Sequence, residues 1–322
     1  MKKLPAKNEC WRPSAAITAL RQRAELLCCI RQFFADQKVW EVDPPLLAQF
    51  GVSDPHLDNF CADFGDRRYL QTSPEYAMKR LLAAGSGDIY SLGKAFRPDE
   101  QGQHHNAEFT LLEWYRIGWN HHQLMDEVAA LVCMILGCNQ PEKWTYCQLF
   151  EDFVGCNPIT ASDTELDQTM RQHRLEDVLV ATGERDDKLA MLMHYVIEPQ
   201  IGQHAPCFVY DYPASQAALA RLSKDDSKVA ERFELYYQGV ELANGYHELT
   251  DPEAQASRFR TDNQIRERLE KAQVNSDWRL ISALESGLPD CAGVALGVDR
   301  LLMLKLGCAT IAEVLPFAWD RA

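Results

Sequence analysis

One segment near the end of the chain constrains the fold more than any other: Gly293-Val-Ala-Leu-Gly297-Val-Asp299-Arg300. Its apolar residues predict a strand, and the apolar run that continues to Leu306 predicts a helix. Glycines inside a strand mark places where a ligand or another backbone approaches closely. Arg300 begins the predicted helix, so its guanidinium and the helix N-terminus can point at phosphate. We therefore expect a nucleotide-binding strand–helix unit at residues 293–306.

A second informative segment is an acidic hairpin. The sequence predicts strands at Phe233–Tyr237 and Val240–Leu249, joined by a two-residue turn at Gln238-Gly239. In that register Tyr236 pairs with Glu241, and Glu234 pairs with Ala243. The two glutamates then become diagonal neighbours on one face, which is unfavourable unless a cation lies between them. We expect Mg²⁺ that bridges triphosphate oxygens; a solvated acidic hairpin is the alternative.

Glu248 lies on the same predicted hairpin but has the opposite parity to Glu241. Side chains of a strand alternate between its two faces, so a regular strand would separate these carboxylates. A β-bulge inserts one residue and reverses the parity beyond it. If both glutamates face one pocket, we expect such a bulge at Asn244-Gly245.

A third segment is predicted to form two strands, Ile89 to Arg97 and Glu108 to Tyr115, joined by a polar loop. Arg97 and Asp99 share one face of this unit, and Phe109 shares a face with Glu113 and Tyr115. An arginine beside a flat aromatic ring can bind an α-phosphate and stack a purine. An exposed Arg–Asp pair with a core phenylalanine is the plain alternative.

The rest of the chain predicts helices around these strands. A helix over residues 14–38, capped by Ser14, precedes a strand at Val39–Val42 that stops at Pro44-Pro45. Further helices are predicted from Ser73-Pro74-Glu75 to Leu82, and over residues 122–136 and 254–273. We expect one α+β domain over residues 1–322, an antiparallel β-sheet flanked by helices, with residues 145–230 as a mostly helical insertion.

The charge and cysteine content exclude several classes of protein. The chain has 33 Lys and Arg against 47 Asp and Glu, a net charge of −14. This disfavours DNA and tRNA, whose phosphates require a basic face. The charge-free stretch Val128 to Gln140 is shorter than the ~18 residues of a membrane-spanning helix. Membrane insertion is therefore not expected. Eleven scattered cysteines without a Cys-x-x-Cys pair indicate reduced thiols in the cytoplasm.

Taken in order, these segments resemble the three signature motifs of class II aminoacyl-tRNA synthetases. Leu26 to Pro45 resembles motif 1, which forms the dimer in that family and implies a homodimer here. Phe96 to Glu113 resembles motif 2, and Gly293 to Arg300 resembles motif 3. The similarity is greatest to lysyl-tRNA synthetase, whose lysine site matches four stretches: Ser73-Pro74-Glu75, His105-Asn106, Glu113-x-Tyr115 and Glu241-Leu-Ala-Asn244-Gly-Tyr-His-Glu248.

The resemblance implies a role for each matching residue. Arg97 and Arg300 would be the catalytic residues, which hold the α-phosphate with the substrate carboxylate and the γ-phosphate, respectively. The residues that it places around ATP are Arg97, Pro98, Asp99, Asn106, Phe109, Glu241, Leu242, Gly297 and Arg300. Mg²⁺ would be held by Glu234 and Glu241. The residues that it places around the amino acid are Ser73, Pro74, Glu75, Glu113, Tyr115, Asn244, Glu248 and Ala295.

The sequence departs from lysyl-tRNA synthetase in three ways, and these limit which activity and substrate the resemblance implies. Motif 1 begins near residue 20, which leaves no room for the N-terminal anticodon-binding domain. Asp99 replaces a glutamate and His104 an arginine in motif 2. Ala295 replaces the second glycine of motif 3, and one methyl group in a tight pocket discriminates between substrates by about 1–3 kcal/mol. We expect it to disfavour α-lysine and favour an isomer with a displaced amine.

This combination is similar to the elongation factor P lysine ligases, stand-alone paralogues of lysyl-tRNA synthetase. That similarity implies ATP-dependent activation of (R)-β-lysine, or lysine, and transfer to a lysine ε-amine of translation elongation factor P. Three alternatives stay open: a truncated synthetase that charges tRNA, an amide ligase that makes free asparagine, and a non-catalytic regulatory module. The sequence does not indicate which acceptor lysine is modified.

Overall fold

A computed structural model describes residues 11–63, 65–98, 100–176 and 184–322. In chain order its α-helices are α1 (Ile17–Asp36), α2 (Glu75–Ala83), α3 (His121–Leu136), α4 (Tyr146–Leu149), α5 (Asp163–Gln172), α6 (Arg185–Leu192), α7 (Pro252–Arg268), α8 (Trp278–Glu285) and α9 (Val298–Leu306). Its strands are β1 (Trp40–Glu41), β2 (Leu47–Ala48), β3 (Cys61–Asp63), β4 (Arg67–Leu70), β5 (Ile89–Phe96), β6 (Glu108–Ile117), β7 (Glu142–Thr145), β8 (Cys207–Pro213), β9 (Val229–Tyr237), β10 (Val240–His247) and β11 (Cys291–Gly297).

The chain divides into two units. Unit 1 contains the described residues up to Tyr115 together with Thr250–Pro289 and Leu296–Ala322, and unit 2 contains Arg116–Leu249 and Asp290–Ala295. Within the described ranges, each helix is either too short or too polar to cross a lipid bilayer. The two units are described separately below.

Unit 1 is built on α1 and the strands β1, β5 and β6. Leu26, Ile30 and Phe34 recur at helical spacing and form the buried face of α1. The Phe34 ring stacks on Tyr90 of β5, with ring centroids 4.4 Å apart, and meets Trp114 of β6 edge-on at 5.4 Å. β1 pairs with β5 in parallel, and β5 pairs with β6 antiparallel. A small second sheet has the order β2-β4-β3.

The predicted cap of α1 is wrong. The helix begins after Ala16, whose side chain cannot cap it. Ser14 lies two residues further upstream, where its hydroxyl oxygen accepts a hydrogen bond from the backbone N–H of Ala318 at 2.9 Å. The serine therefore attaches the beginning of the chain to its end and does not contribute to the helix terminus.

Unit 2 is built on an antiparallel hairpin with a helical layer. β10 pairs with β9, β9 with β8, and β8 in parallel with β7. The capping-box pair Asn120 and Gln123 begins α3, and Gly137 ends it in the left-handed conformation. Aromatic and aliphatic side chains of α4, α5 and α6 form a core with the buried face of β8. In the described part of residues 145–230, the helices α4, α5 and α6 are followed by the strand β8, which the prediction of a mostly helical insertion omitted.

The predicted α+β class is confirmed, with mostly antiparallel strands and helices packed beside them. The pairs β1·β5 and β7·β8 are the parallel exceptions. The predicted strands and helices of all three motifs are present, with ends shifted by a few residues. Their apolar periodicity explains this agreement, because it is set locally by the sequence.

A buried ion pair in unit 1 joins the motif 2 strand β6 and the motif 3 helix α9 to α1, the helix whose second half belongs to motif 1. Arg23 of α1 donates from Nη1 to Asp299 Oδ1 at 2.5 Å, and from Nη2 to Thr110 Oγ1 at 2.5 Å. The second carboxylate oxygen, Asp299 Oδ2, accepts the backbone N–H of Thr110 at 2.7 Å. Arg23 is 8% exposed and Asp299 2% exposed. Each charge therefore depends on its partners for the hydrogen bonds that water would otherwise supply.

We expect Asp299→Ala to lower the free energy of unfolding by about 3–5 kcal/mol, because Arg23 would stay buried without its counter-charge. Asp66→Ala is the matched control: it removes an exposed ion pair with Arg68 and should change the free energy by at most ~1 kcal/mol. Urea denaturation followed by circular dichroism measures both values. Equal effects of the two substitutions would contradict a structural role for the buried pair.

Candidate functional site

A buried carboxylate, Glu113 of β6, organises the first group of predicted site residues in unit 1. It is 2% exposed. Ser73 Oγ donates to its Oε2 at 2.6 Å, and the Tyr115 hydroxyl donates to its Oε1 at 2.8 Å. The parity of β6 places Glu113 and Tyr115 on one face, as predicted. Three of the residues assigned to the amino acid are thus brought together.

Glu75 follows this group at the beginning of α2. Its backbone N–H donates to Ser73 Oγ at 3.1 Å, which closes the turn that precedes the helix. Its carboxylate accepts a hydrogen bond from Lys79 Nζ at 2.7 Å, and Lys79 is 1% exposed. A buried ammonium needs such a partner because water is excluded. Pro74 lies between Ser73 and Glu75 in the sequence and is the N-cap residue of α2.

The Arg97 guanidinium lies against an aromatic ring, as the strand–loop–strand prediction required. Its Cζ is 5.2 Å from the centroid of the Phe109 ring. Nη1 donates to Glu100 Oε1 at 2.8 Å, and Nε is 3.4 Å from the carbonyl oxygen of Thr72. The cation is therefore held over the ring by a neighbouring carboxylate. Pro98 begins the turn that follows, and Asp99 lies outside the described residues.

Arg300 lies in the first turn of α9, three residues after Gly297, and contacts the motif 2 loop. Its Nε donates to the carbonyl oxygen of His104 at 3.3 Å, and its Nη2 contacts Nε2 of His105. Partial burial and the nearby guanidinium both lower the pKa of His104 and His105. The neutral His105 ring can therefore accept the hydrogen bond from Arg300. A Cβ atom on Gly297 would lie 3.6 Å from Arg300 Cδ, an ordinary van der Waals contact, so packing against this arginine does not require a glycine.

Asn106, which was predicted to contact ATP, also has a structural role in unit 1. Its Nδ2 donates to the carbonyl oxygen of Glu108 at 2.6 Å. Its Oδ1 accepts the backbone N–H of Trp319 at 2.9 Å. The side chain is buried and joins the motif 2 loop to the C-terminal segment.

The bulge predicted in the hairpin of unit 2 is present but at a different position. Glu241 pairs with Tyr236 as expected, and the Gln238-Gly239 turn has both residues at positive φ. The register shifts between Glu241 and Ala243, at Leu242, so Glu234 pairs with Asn244 and the predicted pairing with Ala243 is wrong. Asn244 and, by parity, Glu248 then share the face of Glu241.

Gly245, which the prediction assigned to the bulge, has a packing role instead. It pairs with Phe233 across the hairpin. A Cβ atom at this position would lie 2.4 Å from Phe233 Cζ and 3.0 Å from the carbonyl oxygen of Gly293. Two aromatic ring atoms thus occupy the space that any side chain would need. The bulge lies at Leu242, and in the register beyond it Gly245 lies opposite this ring.

Glu234 of the hairpin accepts hydrogen bonds on both of its carboxylate oxygens. Its Oε1 accepts from Arg232 Nη2 and, at 3.1 Å, from Asn244 Nδ2. Its Oε2 accepts the hydroxyl groups of Tyr212, at 2.7 Å, and Tyr236. Burial and this carboxylate hold the pKa of both tyrosines well above the ordinary value, so the hydroxyls stay protonated and donate. These four donors occupy the about four positions at which a carboxylate can accept hydrogen bonds.

Asn244 leaves one polar atom for a ligand. Its Nδ2 is used by Glu234, whereas its buried Oδ1 has no hydrogen-bond donor among the residues that the structure describes. The other predicted residues of unit 2 differ in exposure: Glu248 is 1% exposed and Leu242 is buried, whereas Ala295 is half-buried. The Glu248 backbone N–H donates to the carbonyl oxygen of Cys291, which fixes the end of β10.

Several residues of these groups escaped the sequence analysis. Lys79 and Glu100 pair with predicted residues, but single charged residues on a helix or loop carry no distinctive pattern. Arg232 and Tyr212 bind Glu234 from β9 and β8, and β8 was not predicted. The apolar run Cys207 to Tyr210 was the available signal for that strand.

Comparison with known proteins decides the family. The sequence profile of the tRNA synthetases class II (D, K and N) matches residues 9–321. The chain belongs to this class II family. It is 50% identical over 319 residues to an elongation factor P--(R)-beta-lysine ligase of Vibrio parahaemolyticus. This alignment covers 97% of the chain and 99% of the relative.

Relatives from other genera carry the same name. A protein of Haemophilus influenzae is 47% identical over 321 residues, with 97% of this chain and 98% of the relative covered. One from Yersinia enterocolitica is 48% identical over 319 residues, with the same coverage. The resemblance inferred from the motifs is confirmed, and the class II family assigns the chain to the ATP-dependent amino-acid ligases.

The Arg300–His105 contact gives a pH prediction. We expect the imidazole of His105 to titrate below the ordinary value of about 6.5, because the ring is partly buried and because protonation would place a second cation beside Arg300. Since the folded pKa is lowered, the contribution to stability is present above the ordinary value and is lost as the pH falls through the lowered one.

NMR titration of the histidine ring protons measures this pKa. Arg300→Gln should raise the pKa of His105 towards 6.5, whereas Arg321→Gln, a substitution at another arginine of unit 1, should leave it unchanged. A His105 pKa that does not respond to Arg300→Gln would contradict the interpretation of this contact.

Proposed function

We propose that this chain activates (R)-β-lysine, or lysine, with ATP and transfers the aminoacyl group to a lysine ε-amine of translation elongation factor P. The names of the relatives from three genera support this acceptor and this amino acid. The proposal extends to the chain because each of these alignments covers at least 97% of it. The residues below are assigned to steps of the reaction by their position in the motifs and by their contacts.

The buried Oδ1 atom of Asn244 is the observation that carries the proposed amino-acid class. An unsatisfied buried acceptor costs about 1–3 kcal/mol, so it indicates a donor supplied by a ligand. Asn244 shares its face of the hairpin with Glu241 and Glu248, and these carboxylates favour a cation. A substrate ammonium group provides both the N–H donor and the positive charge.

The two arginines of unit 1 are proposed to bind ATP. Arg97 would contact the α-phosphate and the substrate carboxylate, and Arg300 the γ-phosphate. In the structure their guanidinium groups contact Glu100 and His105, which keep them ordered before ATP binds. Phe109, beneath Arg97, would stack on adenine. Arginine is suited to this because its planar fork matches phosphate oxygens.

Mg²⁺ fits one of the two predicted carboxylates better than the other. Glu241 lies on the face of β10 that carries Asn244, and an oxygen ligand of this kind suits a hard cation. Glu234 already accepts four hydrogen bonds, so it would bind Mg²⁺ only after one donor is released. The ion would neutralise charge on the triphosphate.

The proposed reaction has two steps. In the first, a carboxylate oxygen of the amino acid attacks the α-phosphorus of ATP; the bond to the bridging oxygen breaks, and aminoacyl-adenylate and pyrophosphate form. In the second, the neutral acceptor amine attacks the acyl carbon; AMP leaves, and the amine loses a proton. Neither step needs a covalent nucleophile, and the arginines stabilise the charge that develops.

The proposal includes a homodimer and a protein acceptor in the cytoplasm. Trp40 of motif 1 is more than 40% exposed, as are Leu46 and Leu47, which follow this motif. An apolar surface of this kind is typical of a subunit interface. The net charge of −14 supports a basic protein surface as the acceptor better than tRNA. A synthetase that charges tRNA is the second candidate, since the matched family contains such enzymes.

ATP–pyrophosphate exchange tests the first step. We expect exchange with (R)-β-lysine, and weaker exchange with (S)-β-lysine and α-lysine. Asn244→Ala should raise the KM for the amino acid about 10-fold or more, because a hydrogen bond to a charged group is lost. Asn139→Ala, at an exposed asparagine of unit 2, is the control and should leave KM unchanged. Exchange with none of the three amino acids would refute the proposed enzyme.

Ala295 tests the proposed selectivity. We expect Ala295→Gly to improve the kcat/KM for α-lysine relative to (R)-β-lysine by about 10-fold or more, because removal of a methyl group enlarges a tight pocket. Ala292→Gly, at a buried alanine of the same strand, controls for a general loss of stability. An unchanged preference in the Ala295→Gly variant would exclude this residue as the selectivity determinant.

A further inference from the structure

A cluster of two histidines and a glutamate lies in unit 2, apart from the residues assigned above. His121 begins α3, Glu231 lies in β9 and His247 in β10. One potential ligand atom from each residue lies within 4.8 Å of the others. Since side chains alternate along β10, His247 faces away from the side that carries Glu248. The cluster is therefore a separate feature of the hairpin.

The ring of His121 is buried without hydrogen bonds. It is 5% exposed, and neither Nδ1 nor Nε2 has a hydrogen-bond partner among the described residues. Its Nδ1 is directed at Glu231, with 4.0 Å to Oε2, and its Nε2 lies 3.3 Å from Asp211 Oδ1. Burial of an unsatisfied polar side chain is costly, so this arrangement points to a ligand.

His247 has a similar orientation around the same glutamate, but both of its ring nitrogens make hydrogen bonds. Its Nδ1 contacts Glu231 Oε2, and its Nε2 lies 3.1 Å from Asp290 Oδ1. Each imidazole thus presents Nδ1 to Glu231 and Nε2 to a carboxylate behind it. Carboxylates in that position orient metal-binding histidines and fix their tautomer, because the nitrogen that does not bind the metal donates its proton to them.

We propose that Nδ1 of His121, Nδ1 of His247 and the carboxylate of Glu231 bind a zinc ion. Two imidazoles and one carboxylate are a typical zinc ligand set that leaves a fourth position for water, whereas Mg²⁺ prefers oxygen ligands alone. The ion replaces the proton that His247 Nδ1 shares with Glu231, and the remaining ring proton lies on Nε2 towards Asp290. The zinc ion joins the beginning of α3 to the hairpin.

Asp211 has a positioning role in this site. It lies at the register shift between Tyr210 and Tyr212 of β8 and adopts a positive φ of 60°. This conformation turns its carboxylate out of the regular strand and towards His121 Nε2. Asparagine tolerates positive φ, so Asp211→Asn removes the charge without straining the backbone.

Zinc binding to the full-length, metal-stripped protein tests the proposal. We expect isothermal titration to give one tight equivalent of Zn²⁺, which raises the midpoint of thermal unfolding by several degrees. Co²⁺ in the same site should give the visible absorption of a tetrahedral ion. Mg²⁺ alone, added in large excess, should not displace either metal.

Variants separate this site from other metal-binding side chains. His121→Ala should weaken Zn²⁺ binding about 100-fold or more, and Asp211→Asn, which keeps all three ligands, about 10-fold. His194→Ala is the matched control, because His194 also contacts a carboxylate, Glu198 at 2.9 Å, but on the surface; it should keep wild-type affinity. The thiols of Cys133 and Cys138 lie 3.5 Å apart and could also bind zinc. A variant with serine at both positions tests this, and it should keep wild-type affinity for Zn²⁺.

Three results would overturn the proposal. The first is wild-type protein that binds zinc no more tightly than His121→Ala. The second is a double serine variant that loses zinc binding while His121→Ala keeps it. The third is a Co²⁺ complex without tetrahedral absorption. In each case the cluster would be a hydrogen-bonded network alone. None of these measurements depends on lysine activation, so the result is independent of the proposed function.

Discussion

The buried ion pair between Arg23 and Asp299 is the interaction on which the motif segments of unit 1 depend. It joins α1, β6 and α9, which come from the beginning, middle and end of the chain. Two buried charges are expensive unless every hydrogen bond is made. Thr110 of β6 supplies the remaining hydrogen bonds of this ion pair. The same contacts therefore place Phe109, the neighbour of Thr110, and Arg300, the neighbour of Asp299.

The hairpin of unit 2 depends on a different constraint, the parity of β10. One extra residue at Leu242 decides that Glu241, Asn244 and Glu248 share a face. The sequence predicted that such a bulge is required, because carboxylates seven residues apart have opposite parity in a regular strand. Its position could not be predicted, since it depends on which residues of β9 and β10 pair across the strands.

Local patterns explain which parts of the fold were predicted. The helical spacing in α1, the turn at Gln238-Gly239 and the strand–helix unit of motif 3 are encoded within short segments. Long-range partners were not predicted: Ser14 hydrogen-bonds to the end of the chain, and Tyr212 reaches Glu234 from a strand that the analysis omitted. The His121 cluster combines residues 110 and 126 positions apart by sequence number, so only the folded chain brings them together.

The proposed function is class II chemistry directed at a protein acceptor, which the family and the names of the relatives support. The most direct test supplies the chain with ATP, (R)-β-lysine, elongation factor P and tRNA in one reaction, followed by intact-mass analysis of the protein and acid-gel analysis of the tRNA. We predict that elongation factor P gains the mass of one lysyl group while the tRNA stays uncharged. Charged tRNA beside unmodified elongation factor P would contradict the account.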